Sequence, residues 1–234
     1  MTKCASCGYI LGREHYERGN ITLHELLIFD LDGTLVDSKE DIALAVNLTL
    51  DDLGVERRAP DLIYTYIGGG VHNLIRRSLT DEHAGLLDRG VDTFWANYKE
   101  HVLDKTRPYE GVYGMLEKFS GRKMAVVTNK PYAHTVMILR GLDIERYFIS
   151  VQGWKMGLPV KPDPSLVRMA LDETGVSSAG SVMIGDGVSD ILAARGAGVG
   201  TCAVGYGYGD REKLLDAGPD YFAEEIADIV RLFG

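Results

Sequence analysis

The chain is poor in cysteine and has no long apolar run. Three cysteines among 234 residues are too few for a disulfide framework. No stretch approaches the ~18 consecutive apolar residues that a membrane-spanning helix needs. The first residues also lack the apolar core of a signal peptide. We therefore expect a cytoplasmic protein without a membrane partner.

Basic charge is scarce as well. Lysine and arginine number 25 against 34 aspartates and glutamates, which gives a formal net charge of −9. Non-specific binding to nucleic acid or to an anionic membrane needs basic patches, so neither is expected as a partner. A small anionic substrate remains possible where a local cation offsets the field. The apolar share of 45% is ordinary for a globular protein.

Cys4 and Cys7 form a Cys-x-x-Cys pair close to the start of the chain. A structural zinc site needs two more ligands, and the spacing of His15 and His24 does not match the second half of a zinc finger. We interpret residues 1–24 as an N-terminal extension with two incidental thiols, and metal or redox use of the pair stays open.

Residues 26–37 contain the most informative pattern in the chain. A short apolar run ends at Asp30 and Asp32, two carboxylates separated by one residue, and Gly33 follows. Carboxylates at the tip of an apolar strand need a metal, a proton or a partner. Because open α/β sheets bind ligands at the ends of their parallel strands, this tip is a candidate site.

Further apolar runs predict strands at 124–128, 148–151, 181–185 and 200–204. They alternate with helical patterns of 8–12 residues, which is typical of βαβ units around a parallel sheet. Strands that are apolar throughout suit a sheet covered on both faces. The predicted fold is a doubly wound, Rossmann-like α/β core made of residues 25–37 and 105–234.

Residues 38–104 contain helical patterns and no strand-like run. Ser38 is predicted to cap the first of these helices, because its hydroxyl can satisfy a free backbone N–H. We interpret the segment as an inserted, all-helical cap domain. Its aromatic residues Phe94, Trp95 and Tyr98 are predicted to form the core of the cap.

Polar residues follow four of the predicted strands, at tips that share one edge of a parallel sheet. Together they offer four carboxylates, a hydroxyl, an amide and an ammonium, which matches Mg²⁺-assisted phosphoryl transfer. Each cluster alone has an ordinary explanation, such as a turn or a helix cap, and only their combination is specific. The clusters are Asp30/Asp32, Thr128/Asn129, Lys161 and Asp186/Asp190.

These motifs resemble those of the haloacid dehalogenase-like hydrolases, in the family's order and over residues 26–234. They are Asp-x-Asp-Gly-Thr-Leu at 30–35, Thr-Asn-Lys at 128–130, Lys-Pro at 161–162 and Gly-Asp-x-x-x-Asp at 185–190. The cap after the first motif is similar to that of the phosphoglycolate phosphatase-like branch. So are the glycine-rich segments 66–70 and 205–209, the second of which we interpret as a loop.

The resemblance implies a role for each residue. Asp30 is the nucleophile that becomes an aspartyl phosphate, and Asp32 is the general acid and base. The phosphate-binding residues are Thr128, Asn129 and Lys161. The Mg²⁺ ligands are Asp30, the backbone carbonyl of Asp32, and Asp186, supported by Asp190. Possible specificity residues of the cap are Gly69, Gly70 and Arg76, the last as a partner for a substrate carboxylate.

The implied activity is Mg²⁺-dependent hydrolysis of a small phosphorylated metabolite, best 2-phosphoglycolate, by a monomer or homodimer. Alternatives within the fold are a β-phosphoglucomutase-like phosphotransferase, an inorganic pyrophosphatase and a nucleotidase. A two-component receiver domain is disfavoured, because its acid pair is adjacent and its phosphorylated aspartate lies on a later strand. A non-catalytic binding module is disfavoured by the intact set of acids.

Overall fold

The computed structural model describes residues 24–234. The predictions for Cys4, Cys7 and His15, and for nearly all of the N-terminal extension, lie outside the described residues. Among residues 24–234, no helix combines the length and the apolar character that a membrane span requires.

Six parallel strands form the central sheet, which confirms the α/β class. The strand order across the sheet is β5-β4-β1-β6-β7-β8, with the first strand near the centre. The bounds are β1 Leu26–Phe29, β4 Lys123–Pro131, β5 Ser150–Trp154, β6 Ser181–Gly185, β7 Gly200–Val204 and β8 Tyr221–Ala223, while β2 Val36–Asp37 and β3 Arg107–Pro108 form a separate antiparallel pair.

Helices cover both faces of this sheet. All four residues of β1 are fully buried, and alternate side chains enter different apolar clusters: Leu27 and Phe29 one, Leu26 and Ile28 the other. A strand buried on both sides explains why its sequence is apolar throughout. The helices of the core are α5 Val112–Lys118, α6 Tyr132–Gly141, α7 Ser165–Thr174, α8 Val188–Gly196, α9 Arg211–Asp216 and α10 Ile226–Phe233.

The segment between β2 and β3 is helical, as the sequence predicts. It contains α1 Lys39–Leu53, α2 Pro60–Tyr64, α3 Val71–Ser78 and α4 Leu87–His101, with a 3₁₀ helix at Asp81–Leu86. Val36 pairs with Pro108 and Asp37 with Arg107, so the two connections run side by side. The division into domains at residues 37/38 and 104/105 stays a prediction.

Several strands differ from the sequence-based expectation. The strand predicted at 124–128 extends over Lys123–Pro131 as β4, and the short pair of β2 and β3 is not predicted. The strand predicted at 148–151 begins two residues later, since Phe148 lies at the end of a 3₁₀ turn and Ile149 only makes a single bond to the carbonyl of Met124. The edge strand β8 is missed, because three residues between a turn and a helix give no periodic signal.

Candidate active site

The tip of β1 places Asp30 and Asp32 at the edge of the sheet. The backbone N–H of Asp30 still donates to the carbonyl of Ile184 in β6, so this residue is held by the sheet itself. The chain then turns at Gly33, whose φ of +80° favours glycine. A Cβ at this position would also collide with the Asp186 carboxylate, so the turn and the acid fit closely only without a side chain.

Lys161 connects the nucleophile predicted on β1 to the acid on α8. Its Nζ lies 2.9 Å from Oδ1 of Asp30 and 2.6 Å from Oδ1 of Asp190, and it donates to the carbonyl of Val127 at 2.9 Å. The lysine is 3% exposed. Burial alone would lower its pKa, but the two carboxylates raise it to about 12, so the ammonium stays charged.

Asp186 is the most crowded of the acids. It accepts a hydrogen bond of 2.7 Å from the backbone N–H of Tyr208 and one of 3.3 Å from the hydroxyl of Thr34. Burial, followed by repulsion from Asp30 and Asp190, raises its pKa to about 8. Burial likewise raises the pKa of Asp30 to about 6, against the opposing effect of Lys161.

The donor set of this cluster fits a divalent cation. Carboxylate oxygens of Asp30, Asp186 and Asp190 lie within 4.8 Å of one another. Burial, followed by repulsion among the acids, raises the pKa values of Asp30 and Asp186, and a bound cation would offset both effects. Hard oxygen ligands at this spacing are those that Mg²⁺ prefers. The ligand assignment made from the sequence, with the Asp32 carbonyl in place of Asp190, stays a prediction.

Asp32 lies in a different environment, although it is only two residues from Asp30. Its oxygens accept hydrogen bonds of 2.9 and 2.8 Å from the ammonium of Lys130 and one of 2.6 Å from the hydroxyl of Ser38. The prediction that the Ser38 side chain caps α1 is therefore wrong, and the helix has no side-chain cap. The hydroxyl binds the carboxylate instead, because the tight turn brings Asp32 within its reach.

Thr128 and Asn129 follow the central part of β4, where its pairing with β5 becomes irregular. Thr128 is buried and lines the cavity in front of Asp30. The Asn129 amide joins three segments: it accepts from the N–H of Lys161 at 2.7 Å and donates to the carbonyls of Lys161 and Gly68. Its side chain thus holds the Lys161 loop and touches the helical segment.

A cavity of about 70 Å³ lies between the sheet edge and the helical segment. Gly68 and Gly70 line it, whereas Gly69 and Arg76 do not. The Arg76 guanidinium instead donates to the side chain of Asn73 on an exposed surface. The other lining residues are Asp30, Asp32, Ile42, Ile67, Val71, Leu74, Phe94, Trp95, Tyr98, Thr128, Asn129, Lys130 and Pro131.

The aromatic residues predicted as cap core have a second role. Phe94 and Tyr98 are buried and stack at 5.3 Å, in agreement with the prediction. They also line the cavity with Trp95, whose ring stacks on His134 of α6 at 4.7 Å. The cluster is therefore shared between the helical segment and the α/β core.

Sequence reasoning missed Lys130, Ser38 and Tyr208 as parts of the site. Lys130 directly follows the Thr128-Asn129 pair, which is a usable signal. The Tyr208 hydroxyl accepts from the N–H of Ser38 at 2.6 Å and donates to Asp37 at 3.0 Å, so the 205–209 loop braces the connection next to Asp32. No local pattern in the sequence reveals contacts over such separations.

Comparisons with known proteins agree with this geometry. The family model of the haloacid dehalogenase-like hydrolases matches residues 27–204. The phosphoglycolate phosphatase of Colwellia psychrerythraea is 36% identical over 208 residues, covering 84% of this chain and 91% of the relative. That of Aquifex aeolicus is 36% identical over 209 residues, covering 88% and 95%.

A solved structure supports the same relationship. The crystal structure of a predicted phosphoglycolate phosphatase from Haemophilus somnus superposes with a TM-score of 0.83 at 30% identity, covering 92% of this chain and 100% of the other. The match spans the sheet, the helical segment and the motifs at the strand tips. The chain therefore belongs to the haloacid dehalogenase-like hydrolases, in their phosphoglycolate phosphatase-like branch.

Proposed function

We propose that this phosphatase hydrolyses a small phosphomonoester, with 2-phosphoglycolate as the best candidate, through an aspartyl phosphate on Asp30. One observation carries the proposal: the cavity has two differently held acids, Asp30 bound to Lys161 and Asp32 bound to Lys130. Two acids in separate environments suit two separate roles. The limited size of the cavity and the named activity of the relatives support a small substrate.

Each acid has one task in the chemistry. A carboxylate oxygen of Asp30 forms a bond to phosphorus as the bond from phosphorus to the ester oxygen breaks. Asp32 donates its proton to that departing oxygen. It then takes a proton from a water molecule, whose oxygen attacks the phosphorus of the aspartyl phosphate and restores Asp30. Such proton transfer typically contributes ~10²–10⁴-fold to the rate.

Mg²⁺ would be held by Asp30, Asp186 and the backbone carbonyl of Asp32, with Asp190 supporting the site through Lys161 and the N–H of Gly187. When bound, the ion supplies positive charge that neutralises the phosphoryl oxygens and the clustered acids. The buried ammonium of Lys161 already provides part of that charge.

The phosphoryl group would be positioned by Thr128, Asn129 and Lys161. Thr128 and Asn129 line the cavity beside Asp30. The side chain of Asn129 is engaged with the Lys161 loop, so its contribution is to fix that loop. Cytoplasmic location and a monomeric or homodimeric state remain predictions.

Phosphate release tests the proposal directly. We expect Mg²⁺-dependent release from 2-phosphoglycolate, with higher kcat/KM than from sugar phosphates, nucleotides or pyrophosphate. Asp30→Asn should abolish release and prevent the mass increase of a trapped phosphoenzyme, whereas the exposed control Asp172→Asn should keep both. Release that survives Asp30→Asn or thorough chelation would contradict the mechanism. Isomerised sugar phosphate without free phosphate would show a phosphotransferase instead.

A further inference from the structure

Lys130 is a buried cation in the substrate cavity that binds Asp32, and the mechanism above assigns it no contact with the substrate. We propose that its ammonium selects substrates with a carboxylate next to the phosphate ester, by binding that carboxylate. The proposal rests on the proposed phosphatase function and names the residue that sets its substrate class.

The charged residues around the cavity include one cation that could bind a substrate carboxylate. Of the described residues that line it, Lys130 is the one with a positive charge, and it is 8% exposed. Lys161, at the floor of the site, already has three acceptors: Asp30, Asp190 and the carbonyl of Val127. Its ammonium is therefore held beside Asp30, where it would contact the phosphoryl group, and Lys161 is not among the residues that line the cavity.

Lys130 is engaged differently. Two of its three N–H groups bind the oxygens of Asp32, and the third faces Tyr98, a neutral partner that a substrate carboxylate can replace. Asp32 is the acid assigned to the leaving oxygen, so its lysine partner lies on the leaving-group side of the cavity. An anionic group of the substrate beside the leaving oxygen would meet this positive charge.

The position of Lys130 suits the geometry of the substrate class. In 2-phosphoglycolate a single methylene carbon separates the ester oxygen from the carboxylate. Asp32 has to contact the ester oxygen, and the Lys130 Nζ lies 2.8–2.9 Å from the Asp32 oxygens. A cation that touches the acid is thus within reach of a carboxylate adjacent to the leaving oxygen.

The surroundings strengthen such a contact. The Lys130 Nζ lies 4.6 Å from the centre of the Tyr98 ring, and Phe94 and Trp95 line the same cavity. A hydrogen bond between charged groups is stronger where apolar side chains exclude water. A substrate with a neutral group at this position would remove water from the Lys130 ammonium without offering it a negative charge, so such a substrate would bind less tightly.

Binding of two matched, non-hydrolysable ligands tests the inference without relying on turnover. 3-Phosphonopropionate replaces the ester oxygen of 2-phosphoglycolate by a methylene and keeps the carboxylate, and 3-hydroxypropylphosphonate has a neutral hydroxyl there. With Mg²⁺ present, calorimetry on the wild-type protein should give about 10- to 100-fold tighter binding of the carboxylate ligand, the range expected for a hydrogen bond to a charged group.

Lys130→Gln should reduce this preference to near unity. Arg76→Gln, the rival carboxylate partner, and the exposed control Lys118→Gln should retain it. Equal affinities in the wild-type protein, or a preference that survives Lys130→Gln, would overturn the inference. A lysine that only positions Asp32 would instead lower kcat equally for 2-phosphoglycolate and 2-hydroxyethyl phosphate, with no change in ligand preference.

A second pair of variants removes the risk that an unpaired buried acid unfolds the protein. Asp32→Asn leaves Lys130 without its carboxylate, and we expect it to keep or increase the preference. Asp32→Asn with Lys130→Gln has neither buried charge, and we expect it to lose the preference. Carboxylate binding through Lys130 without phosphate release would refute the proposed function alone, whereas phosphate release without the preference would refute only this inference.

Discussion

The balance of charge between one lysine and three buried acids sets the pKa values of the site residues. The ammonium of Lys161 balances one of the three clustered carboxylates, and the pKa values of Asp30 and Asp186 rise to about 6 and about 8 because burial and mutual repulsion remain. The metal-free site is therefore destabilising at neutral pH, as expected for a buried group that is charged in the unfolded chain.

Asp186→Asn tests this charge imbalance. In chelator at pH 7.5 we expect a higher Tm than that of the wild-type protein, by about 2–4 °C for each kcal/mol recovered. The amide oxygen can still accept from the N–H of Tyr208, so packing is retained. Differential scanning calorimetry should also show that Mg²⁺ raises the Tm of the wild-type protein and not of the variant. A Tm below that of the wild-type protein in chelator would contradict the argument.

Gly207 tests how closely the 205–209 loop packs on the acids. A Cβ at this position would collide with Cβ of Asp186 and with the carbonyl of Gly33. Gly207→Ala should lower the free energy of unfolding by about 1–3 kcal/mol, as overpacking does, and weaken Mg²⁺ binding. Gly114→Ala in α5 meets no atom within 4 Å and should stabilise by about 0.5–1 kcal/mol. Denaturant titrations measure both.

At the residue scale, the sequence predicts groups that stand at strand tips and misses those defined by distant contacts. Asp30, Asp186 and Asp190 follow recognisable strands, Thr128 lies within β4, and Lys161 lies in the loop after β5. The pairing of Lys130 with Asp32 joins residues 98 positions apart, so no local pattern encodes it. The helix-capping rule also fails for Ser38, because its hydroxyl binds the Asp32 carboxylate instead of a backbone N–H at the helix terminus.

Elements are predicted best where burial is complete. The runs at 181–185 and 200–204 coincide with β6 and β7, because both faces of these strands are covered. The edges are harder: β5 is shifted and β8 is missed, since edge strands are short and partly exposed. Long-range packing of helices, such as α4 against α6 through Trp95 and His134, has no sequence signal.

The contact between α4 and α6 should depend on pH. Burial, then the nearby charges of Lys130 and Lys99, lowers the pKa of His134 to about 4. In the unfolded chain the histidine has an ordinary pKa near 6.5, so the unfolded state binds more protons than the folded state between about pH 4 and pH 6.5. The contribution of His134 to the free energy of unfolding is therefore present above about pH 6.5 and is lost as the pH falls towards 4.

Denaturant titrations at pH 7 and pH 5 measure this loss. Because His134 is partly exposed, its contribution should amount to only about 1 kcal/mol. His134→Phe, which keeps the ring stack on Trp95, should lose less stability between the two pH values than the wild-type protein. The exposed control His72→Gln should behave like the wild-type protein. An unchanged pH response in His134→Phe would exclude this histidine as its source.

At the scale of the whole molecule, the pairing of β2 with β3 allows the helical segment between them to be deleted and the two strands to be joined directly. Asp37 and Arg107 are directly opposite in an antiparallel pair, so a two-residue Asn-Gly turn can join them. A chain in which residues 38–106 are replaced by Asn-Gly should fold with the circular dichroism of a parallel α/β core and should bind Mg²⁺. It should lose about 100-fold or more in kcat/KM for 2-phosphoglycolate, because nothing excludes water or orients the substrate.

The outcome tests the predicted domain boundaries. Cooperative unfolding of the shortened chain, which retains residues 25–37 and 107–234, would support the predicted division into an independent core and a helical cap. Aggregation or non-cooperative unfolding would mean that the apolar cluster shared by the two parts is required for folding.

The same pair of connections also bears on how such proteins diversify. The two connections, at β2 and β3, lie side by side, so a segment of any length between them leaves the core and returns to it at nearly one point. A different helical segment between these connections would leave the strand that precedes Asp30 in place. A change of substrate would then require new sequence only between two short junctions, while the reactive carboxylates stay in position.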